Sequence, residues 1–270
     1  MSARLPTLFI PHGGGPCFFM EPMKGPKDTW DKMAAYLRGL AAGIGQRPKA
    51  ILVISGHWET LKPTVNSGAK PPLLFDYYNF PEHTYRLVYP APGSPELAKH
   101  VRDLLAAAGF QSDEDKTRGF DHGIFIPFLL IYPDAQIPIV QLSLQHDLDP
   151  KMHLEIGHAL APLRDEGVLI VGSGMSFHNL RAFLGDDRSS DEASKHFDDW
   201  LTEAVSMPDA SGRATALAAW QRAPFARVCH PREEHLIPLM VAAGAAGNDL
   251  GRRTYNDRIW GKTLSGFQFG

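Results

Sequence analysis

The stretch Ala50–Trp58 reads AILVISGHW, an apolar run without alternation that ends in glycine and histidine. A half-exposed strand would alternate apolar with polar residues. An unbroken apolar run suits a strand buried on both faces, as in a mainly parallel sheet with helices on either side. Val168–Val171 (VLIV) has the same character, and Thr7–Ile10 and Ile137–Leu144 are further strand candidates. Helices with readable ends lie between them. Trp30, Met33, Ala34, Leu37, Leu40 and Ala41 form one stripe at helical spacing, with a cap at Asp28 or Thr29 and a stop near Gly43. Ser94-Pro95-Glu96 sets an N-cap before an N1 proline, and the helix it opens runs to Gly109. Asp149-Pro150 repeats that signal for a helix expected to end near Gly167. Strands alternating with helices indicate the α/β class. No repeat, charge run or composition shift marks a boundary, so residues 1–270 read as one domain. Residues 66–95 form a long Pro- and Tyr-rich stretch, and a loop of that length in a compact domain is usually functional.

Composition narrows the function classes. At 44% hydrophobic, 270 residues are enough for one large core. Lys+Arg number 27 against 30 Asp+Glu, a net charge of −3, and the longest basic run is Arg252-Arg253. That leaves no electrostatic footprint for nucleic acid. The apolar runs Ile124–Ile131 and Leu236–Ala243 fall well short of the roughly 18 residues of a membrane span. The start MSARLPTLFIPHGGG has no room for a secretory h-region, and Cys17 and Cys229 cannot build a disulfide framework. The expectation is a cytoplasmic monomer or small homo-oligomer that acts on a small molecule, without nucleic-acid or membrane partners.

Three candidate strands run into histidine: Thr7–Ile10 into Pro11-His12-Gly13-Gly14-Gly15, Ala50–Ser55 into Gly56-His57, and Val168–Val171 into Gly172-Ser173-Gly174-Met175-Ser176-Phe177-His178. Ligands in open α/β sheets bind outside the carboxyl ends of the strands. Glycine beside or before each histidine permits a tight turn that presents the side chain there. A lone histidine after a strand is usually a satisfied loop residue; three with the same local pattern predict one shared site. Gly119-Phe120-Asp121-His122-Gly123 adds a fourth, with glycines on both sides and an adjacent carboxylate to orient His122. Arg232-Glu233-Glu234-His235 reads either as a charged first helical turn or as the source of a third metal ligand, His235 or Glu234.

Four named motifs fail on specific residues. His12-Gly13-Gly14-Gly15 looks like a lipase oxyanion loop, but the matching nucleophile elbow at Gly174–His178 has histidine where glycine is required. His57-Trp58-Glu59 fits half of a zinc deaminase signature, yet Pro16-Cys17 precedes it and Met20 stands in place of the second cysteine. His153, Glu155 and His158 are spaced H-x-E-x-x-H, which points the two histidines to different faces of a solvated helix.

Taken in order, PHGGGPCFFM, SGHW, FPEHTYRLVYPAPGSPELA, GFDHG, GSGMSFHNL and EEHLIPL resemble the class III extradiol ring-cleavage dioxygenases, nearest the 4,5-DOPA dioxygenase-like branch. The resemblance runs from residue 7 to about 245. It implies a single α/β domain with a central mixed sheet between helical layers, and a non-haem Fe(II) enzyme that opens a catechol with O2, with Zn(II) as another metal carried in this branch. By the same resemblance, His12 and His57 match metal ligands and His235 the third ligand, with Glu234 as its rival. His178 matches an acid/base histidine that can also contact zinc, and His122 a second active-site histidine. The first loop departs from the shorter His-Gly-Ser-Pro of some relatives. Histidine ordinarily titrates near neutral pH, so one at 178 suits accepting a catechol proton. His122 suits donating a proton during O–O cleavage or positioning the substrate. Trp58, Phe177, Tyr77, Tyr78 and the stretch Tyr85–Tyr89 are candidates for the pocket wall or for ordinary packing. A zinc-dependent hydrolase and a non-catalytic binding module are the rival readings; two proton-transfer histidines beside the ligands favour the enzyme.

Overall fold

The computed structural model describes residues 4–185 and 188–270. Its centre is one mixed sheet of eight strands: β1 (Thr7–Pro11), β2 (Ala50–Thr60), β3 (Thr64–Asn66), β4 (Asp113–Asp115), β5 (Ile139–Gln145), β6 (Val168–Gly174), β7 (Gly251–Ile259) and β8 (Lys262–Phe269). They lie in the order β4-β3-β5-β2-β6-β1-β8-β7. The four central strands, β5, β2, β6 and β1, are mutually parallel, and they are the four expected from the apolar runs. Both β1 and β6 are buried along their whole length, as a strand covered on two faces must be. The chain is thus α/β, with a mainly parallel sheet.

Alternating side chains show what covers each face. On one face, Ser55 donates to Asp121 and Ser173 donates to the Gly123 carbonyl, at the start of helix α3 (His122–Ile131). On the other, Thr7 Oγ1 donates to the Ala242 carbonyl at 2.8 Å, within α9 (Ile237–Ala246). The helices between and around these are α1 (Asp31–Ile44), α2 (Pro95–Ala107), α4 (Pro150–Leu160), α5 (Leu180–Leu184), α6 (Ser189–Val205), α7 (Ala210–Ala218) and α8 (Ala226–Cys229). The runs too short to cross a bilayer are therefore α3 and α9, apolar nearly all round because they are buried nearly all round. No helix among the described residues is long and apolar enough to cross a membrane.

Several boundaries differ from expectation. Strand β2 continues through His57 to Thr60, with a register shift against β5 between Ile54 and Glu59. Helix α1 starts without a side-chain cap, because the Thr29 hydroxyl donates to the Pro26 carbonyl, and it ends at Gly45 (φ 75°), not Gly43. Ser94 does cap α2, accepting from Leu97 N, and Asp149 caps α4. Helix α4 stops at Leu160 and tightens into a 3-10 turn over Ala161–Arg164, since Pro162 has no N–H to continue the ladder. The β7–β8 hairpin escaped the sequence reading; its turn is Trp260-Gly261, both at positive φ.

Glycine governs how closely these layers meet. A Cβ on Gly244 of α9 would strike the Leu154 carbonyl of α4, and one on Gly172 of β6 would strike the Pro238 carbonyl of α9. Gly39 of α1 faces open space instead. Gly172→Ala and Gly244→Ala should each destabilise by about 1–3 kcal/mol through overpacking. Gly39→Ala should stabilise by roughly 0.5–1 kcal/mol. Thermal melts of the three variants check this; equal shifts of one sign would remove close approach as the cause.

Candidate metal centre

The carboxyl edge of the parallel strands carries a cluster of five histidines. His12 follows β1, and Gly13 and Gly15 beyond it adopt positive φ (83° and 55°), so this loop does turn on its glycines. His57 lies inside β2, and His122 opens α3. His235 sits in a turn before α9, so Arg232–His235 is neither a first helical turn nor part of the helix. Gly56 and Gly174 have ordinary backbone angles. Their role is closeness, correcting the expectation that they shape turns: an added Cβ would press on the Glu234 and His235 carbonyls. Met175 N donates to the His235 carbonyl at 3.0 Å, fastening that turn to the end of β6.

Ring centroids of His12, His57 and His235 stand 4.9, 5.1 and 4.7 Å apart pairwise. Each offers a ring nitrogen within 4.8 Å of the other two, a grouping able to hold a metal ion. Hydrogen bonds fix which nitrogen that is. His12 Nδ1 must donate to the Gly13 carbonyl at 2.9 Å, because a carbonyl only accepts. His235 Nδ1 donates to Glu234 Oε1 at 2.9 Å, and His57 Nδ1 faces Asp76 Oδ2 at 3.5 Å. The Nε2 atoms of His12 and His235 therefore carry lone pairs, and the Asp76 carboxylate beside His57 Nδ1 favours the same tautomer there. His12 Nε2 is buried without a hydrogen-bond partner, and the Nε2 atoms of His57 and His235 approach to 3.1 Å. Such bare, converging lone pairs are repulsive without a cation and suit one well. The donor set fits a divalent metal, whose charge Asp76 and Glu234 would balance.

The other two histidines flank this group. His178 stacks on His235 with centroids 3.5 Å apart and shares its carboxylate, Nδ1 lying 3.0 Å from Glu234 Oε1. His122 lies 3.9 Å from His57 between centroids, and its Nδ1 is 2.8 Å from Asp76 Oδ1. Sequence reasoning gave the orienting role to the adjacent Asp121; the structure assigns it to Asp76. Asp121 faces the interior, accepting from Ser55, Gln141 and Arg118. Arg118 also donates to the His57 carbonyl, and Ser55 Oγ accepts from His57 N, so Asp121 braces the backbone of His57. Asp76 comes from the long loop suspected of function, where it and Glu82 are the only carboxylates between residues 66 and 95. Glu82 pairs with exposed Arg86, which would have left Asp76 as the candidate.

The aromatic candidates divide. Tyr77 lies 5.8 Å from His122 between centroids and packs with Phe75, Phe80, Tyr85 and Phe125. Tyr78 is 78% exposed, Phe177 packs on Phe183 in the core, and Trp58 is buried under the Arg118 guanidinium. His153 is buried, not solvated: Nδ1 donates to the Asp149 carbonyl and Nε2 accepts from Gln145 N. His158 on the next faces of α4 is exposed. Cys17 and Cys229 are free and buried.

Residues 6–267 match the family described as the catalytic LigB subunit of aromatic ring-opening dioxygenase. The chain belongs to this family. It is 42% identical over 248 residues to a protein of Beta vulgaris named 4,5-DOPA dioxygenase extradiol, covering 90% of this chain and 87% of that one. An Escherichia coli K12 protein of the same name is 34% identical over 251 residues, covering 90% and 86%. A dioxygenase, tasH, of Hapsidospora irregularis is 37% identical over 282 residues, covering 98% and 85%. The crystal structure of an uncharacterised Escherichia coli K12 protein, JW3007, superposes with a TM-score of 0.77 at 29% identity, covering 99% of this chain and all of that one. The LigB chain described here is an extradiol ring-cleavage dioxygenase.

Burial, reinforced by repulsion from neighbouring imidazolium charge, holds His12, His57 and His235 well below the ordinary histidine range. Burial does the same to His153, and pushes His230 down to about 3. These groups stay neutral in the folded, metal-free protein while the unfolded chain protonates them near pH 6.5. Stability is therefore intact above pH 6.5 and is lost as pH falls toward the depressed folded values. Asp121, pushed up by burial and by Asp76, acts in the opposite sense at lower pH. Chelator-stripped protein should lose up to about 1.4 kcal/mol per such histidine for each pH unit below 6.5. Thermal melts between pH 7.5 and 5 measure it; a flat profile would mean that these histidines titrate alike in the folded and unfolded chain.

Proposed function

We propose that this LigB chain, acting over residues 1–270 as one catalytic domain, uses Fe(II) and O2 to open a para-substituted catechol beside its hydroxyls. The observation that carries the reading is the convergence of ring nitrogens from His12, His57 and His235, with His12 Nε2 buried and without a hydrogen-bond partner. Two nitrogens and a third protein ligand with open positions is the donor logic of non-haem iron oxygenases, and Zn(II) would also fit. When bound, Fe(II) supplies a Lewis-acidic, redox-active centre that holds the diol and O2 together. His235 serves better than Glu234 as third ligand, because His235 is the residue that groups with His12 and His57, whereas Glu234 groups with His178 and His235.

The protein's own part is proton handling and orientation. His178 directs Nδ1–H to Glu234, which leaves Nε2 as a base for a catechol hydroxyl proton, and the carboxylate stabilises the imidazolium so formed. Burial opposes ionisation of Glu234, yet the hydrogen bond and charge of His178 hold its carboxyl below the ordinary range. His122 stands toward Asp76 in the same way, on the side lined by Tyr77. The names of the Beta vulgaris and Escherichia coli relatives support L-DOPA or a dihydroxyphenyl acid as substrate. The product would be a coloured ring-opened semialdehyde carrying both oxygen atoms, able to cyclise where the substituent bears an amine.

Anaerobic reconstitution with Fe(II), then O2 uptake against a panel of catechols, tests the reading. One O2 per ring opened is expected, with metal lost from His12→Ala, His57→Ala and His235→Ala. Metal retained in His235→Ala but lost in Glu234→Ala would transfer the third ligand to Glu234. Ester or amide hydrolysis without O2 uptake would replace the reading with a hydrolase.

His178→Ala should retain iron and melting temperature while turnover per iron falls about 10²–10⁴-fold. Rapid reaction of that variant with wild-type turnover per iron would remove His178 from proton transfer.

A further inference from the structure

We propose that Asp76 and Glu234 are positioning residues, each tying one metal-holding histidine to one proton-handling histidine. The proposal rests on the ligand set and acid/base roles given above. Asp76 Oδ1 accepts from His122 Nδ1 at 2.8 Å and from His122 N at 3.0 Å, while Oδ2 faces His57 Nδ1 at 3.5 Å. Glu234 Oε1 lies 2.9 Å from His235 Nδ1 and 3.0 Å from His178 Nδ1. The two carboxylates come from unrelated segments, one from the long loop before α2 and one from the turn before α9, yet they repeat the same division of labour.

The chemistry follows from the partner each imidazole meets. A carboxylate accepting Nδ1–H fixes the tautomer, turns the ring, and makes Nε2 a stronger donor to a metal. The same carboxylate stabilises the charge when its other histidine takes up a proton. One negative charge thus serves assembly of the site and its proton transfer together. Neighbouring carboxylates are engaged elsewhere: Glu59 is paired with Arg232 and His146, and Asp121 braces the His57 backbone through Ser55 and Arg118. The arrangement also explains why His57 and His122 crowd to 3.9 Å, and His178 and His235 to 3.5 Å. Each pair closes on a shared anion.

Asp76→Asn and Glu234→Gln keep the size of the side chain and remove its charge. Zn(II) affinity is read by competition with a chromophoric chelator, tautomers by imidazole ¹⁵N shifts of the zinc-loaded protein, and turnover per bound iron with a catechol. Each variant should bind Zn(II) about 10–100-fold more weakly, show a changed tautomer signal for its two histidines, and lose at least about tenfold in turnover per iron. His122→Ala should bind Zn(II) within about threefold of wild type, because Asp76 remains to orient His57. Wild-type zinc affinity in both carboxylate variants, or loss of one reading without the other, would overturn the shared role. A wild-type protein that takes up no Zn(II) would instead sink the metal-site reading itself. If Asp76→Asn does not fold, Asp76→Glu takes its place: it restores the charge and should recover affinity and turnover relative to Glu234→Gln, and a failure to do so counts against the proposal.

Discussion

Backbone lies directly on backbone where Glu234–Pro238 crosses the ends of β2 and β6, with no side chain between. Gly56, Gly172 and Gly174 leave that space, and the Met175 N–H to His235 carbonyl bond fixes the distance. The site depends on this contact because its histidines arrive from segments far apart in sequence. His57 and His122 reach the edge from the side of the sheet that α3 covers, and His235 from the side that α9 covers. A side chain at Gly174 would push the whole turn outward and carry His235 away from His12 and His57. The glycines are thus constraints on geometry first and on flexibility hardly at all. Of the glycines beside the five histidines, Gly13 and Gly15 after His12 are the ones at positive φ.

Gathering five imidazoles, three of them buried, is costly unless something compensates. Neutral histidines lose the stabilisation of protonation, and lone pairs aimed at each other gain nothing from desolvation. Two features answer this cost. Every Nδ1 of the cluster has an acceptor, a backbone carbonyl for His12 and a carboxylate for the other four. On the other side of the rings, His12, His57 and His235 form a grouping that could hold a metal ion. The polar interior is therefore half satisfied by the chain and half reserved for its ligands, which is the pattern of a site and not of a structural core.

Much of this was legible in the sequence, for reasons that differ by element. The parallel strands could be read because burial on both faces removes alternation, and α2 and α4 because Ser94 and Asp149 precede proline. The β7–β8 hairpin was missed: its turn, Trp260-Gly261, is a weak signal, and Trp260 adopts positive φ against its own preference. His12, His57, His122, His178 and His235 could be picked out as candidates because each sits beside an expected strand end or in a charged or glycine-rich motif. Asp76 could be shortlisted as a loop carboxylate but not paired, because nothing in LLFDYYNF says which imidazole it meets. A partner 46 residues away in sequence is set by tertiary packing alone. The same limit misassigned Asp121, which is next to His122 in the chain but turned to the other side of it.

The two halves of the site are built on different footings. On one side the chain locks backbone to backbone: β1, β2, β6 and the turn before α9, with glycines at the contacts. On the other, a backbone bridge between Leu73 and Phe120 fixes the start of the loop, and beyond it Asp76 and Tyr77 are held by aromatic packing and by side-chain bonds such as Tyr77 Oη to the Thr84 carbonyl and His83 Nε2 to the Phe19 carbonyl. Aromatic contacts tolerate exchange of shape far better than a backbone crossing does. Conservative exchanges among the aromatic residues of 75–86 should therefore disturb His12, His57 and His235 less than a side chain at Gly56 or Gly174 would. Asp76 is the exception within that loop, because it alone carries the hydrogen bonds to His122 and faces His57. The loop is free to vary around it, and the chemistry is anchored through it.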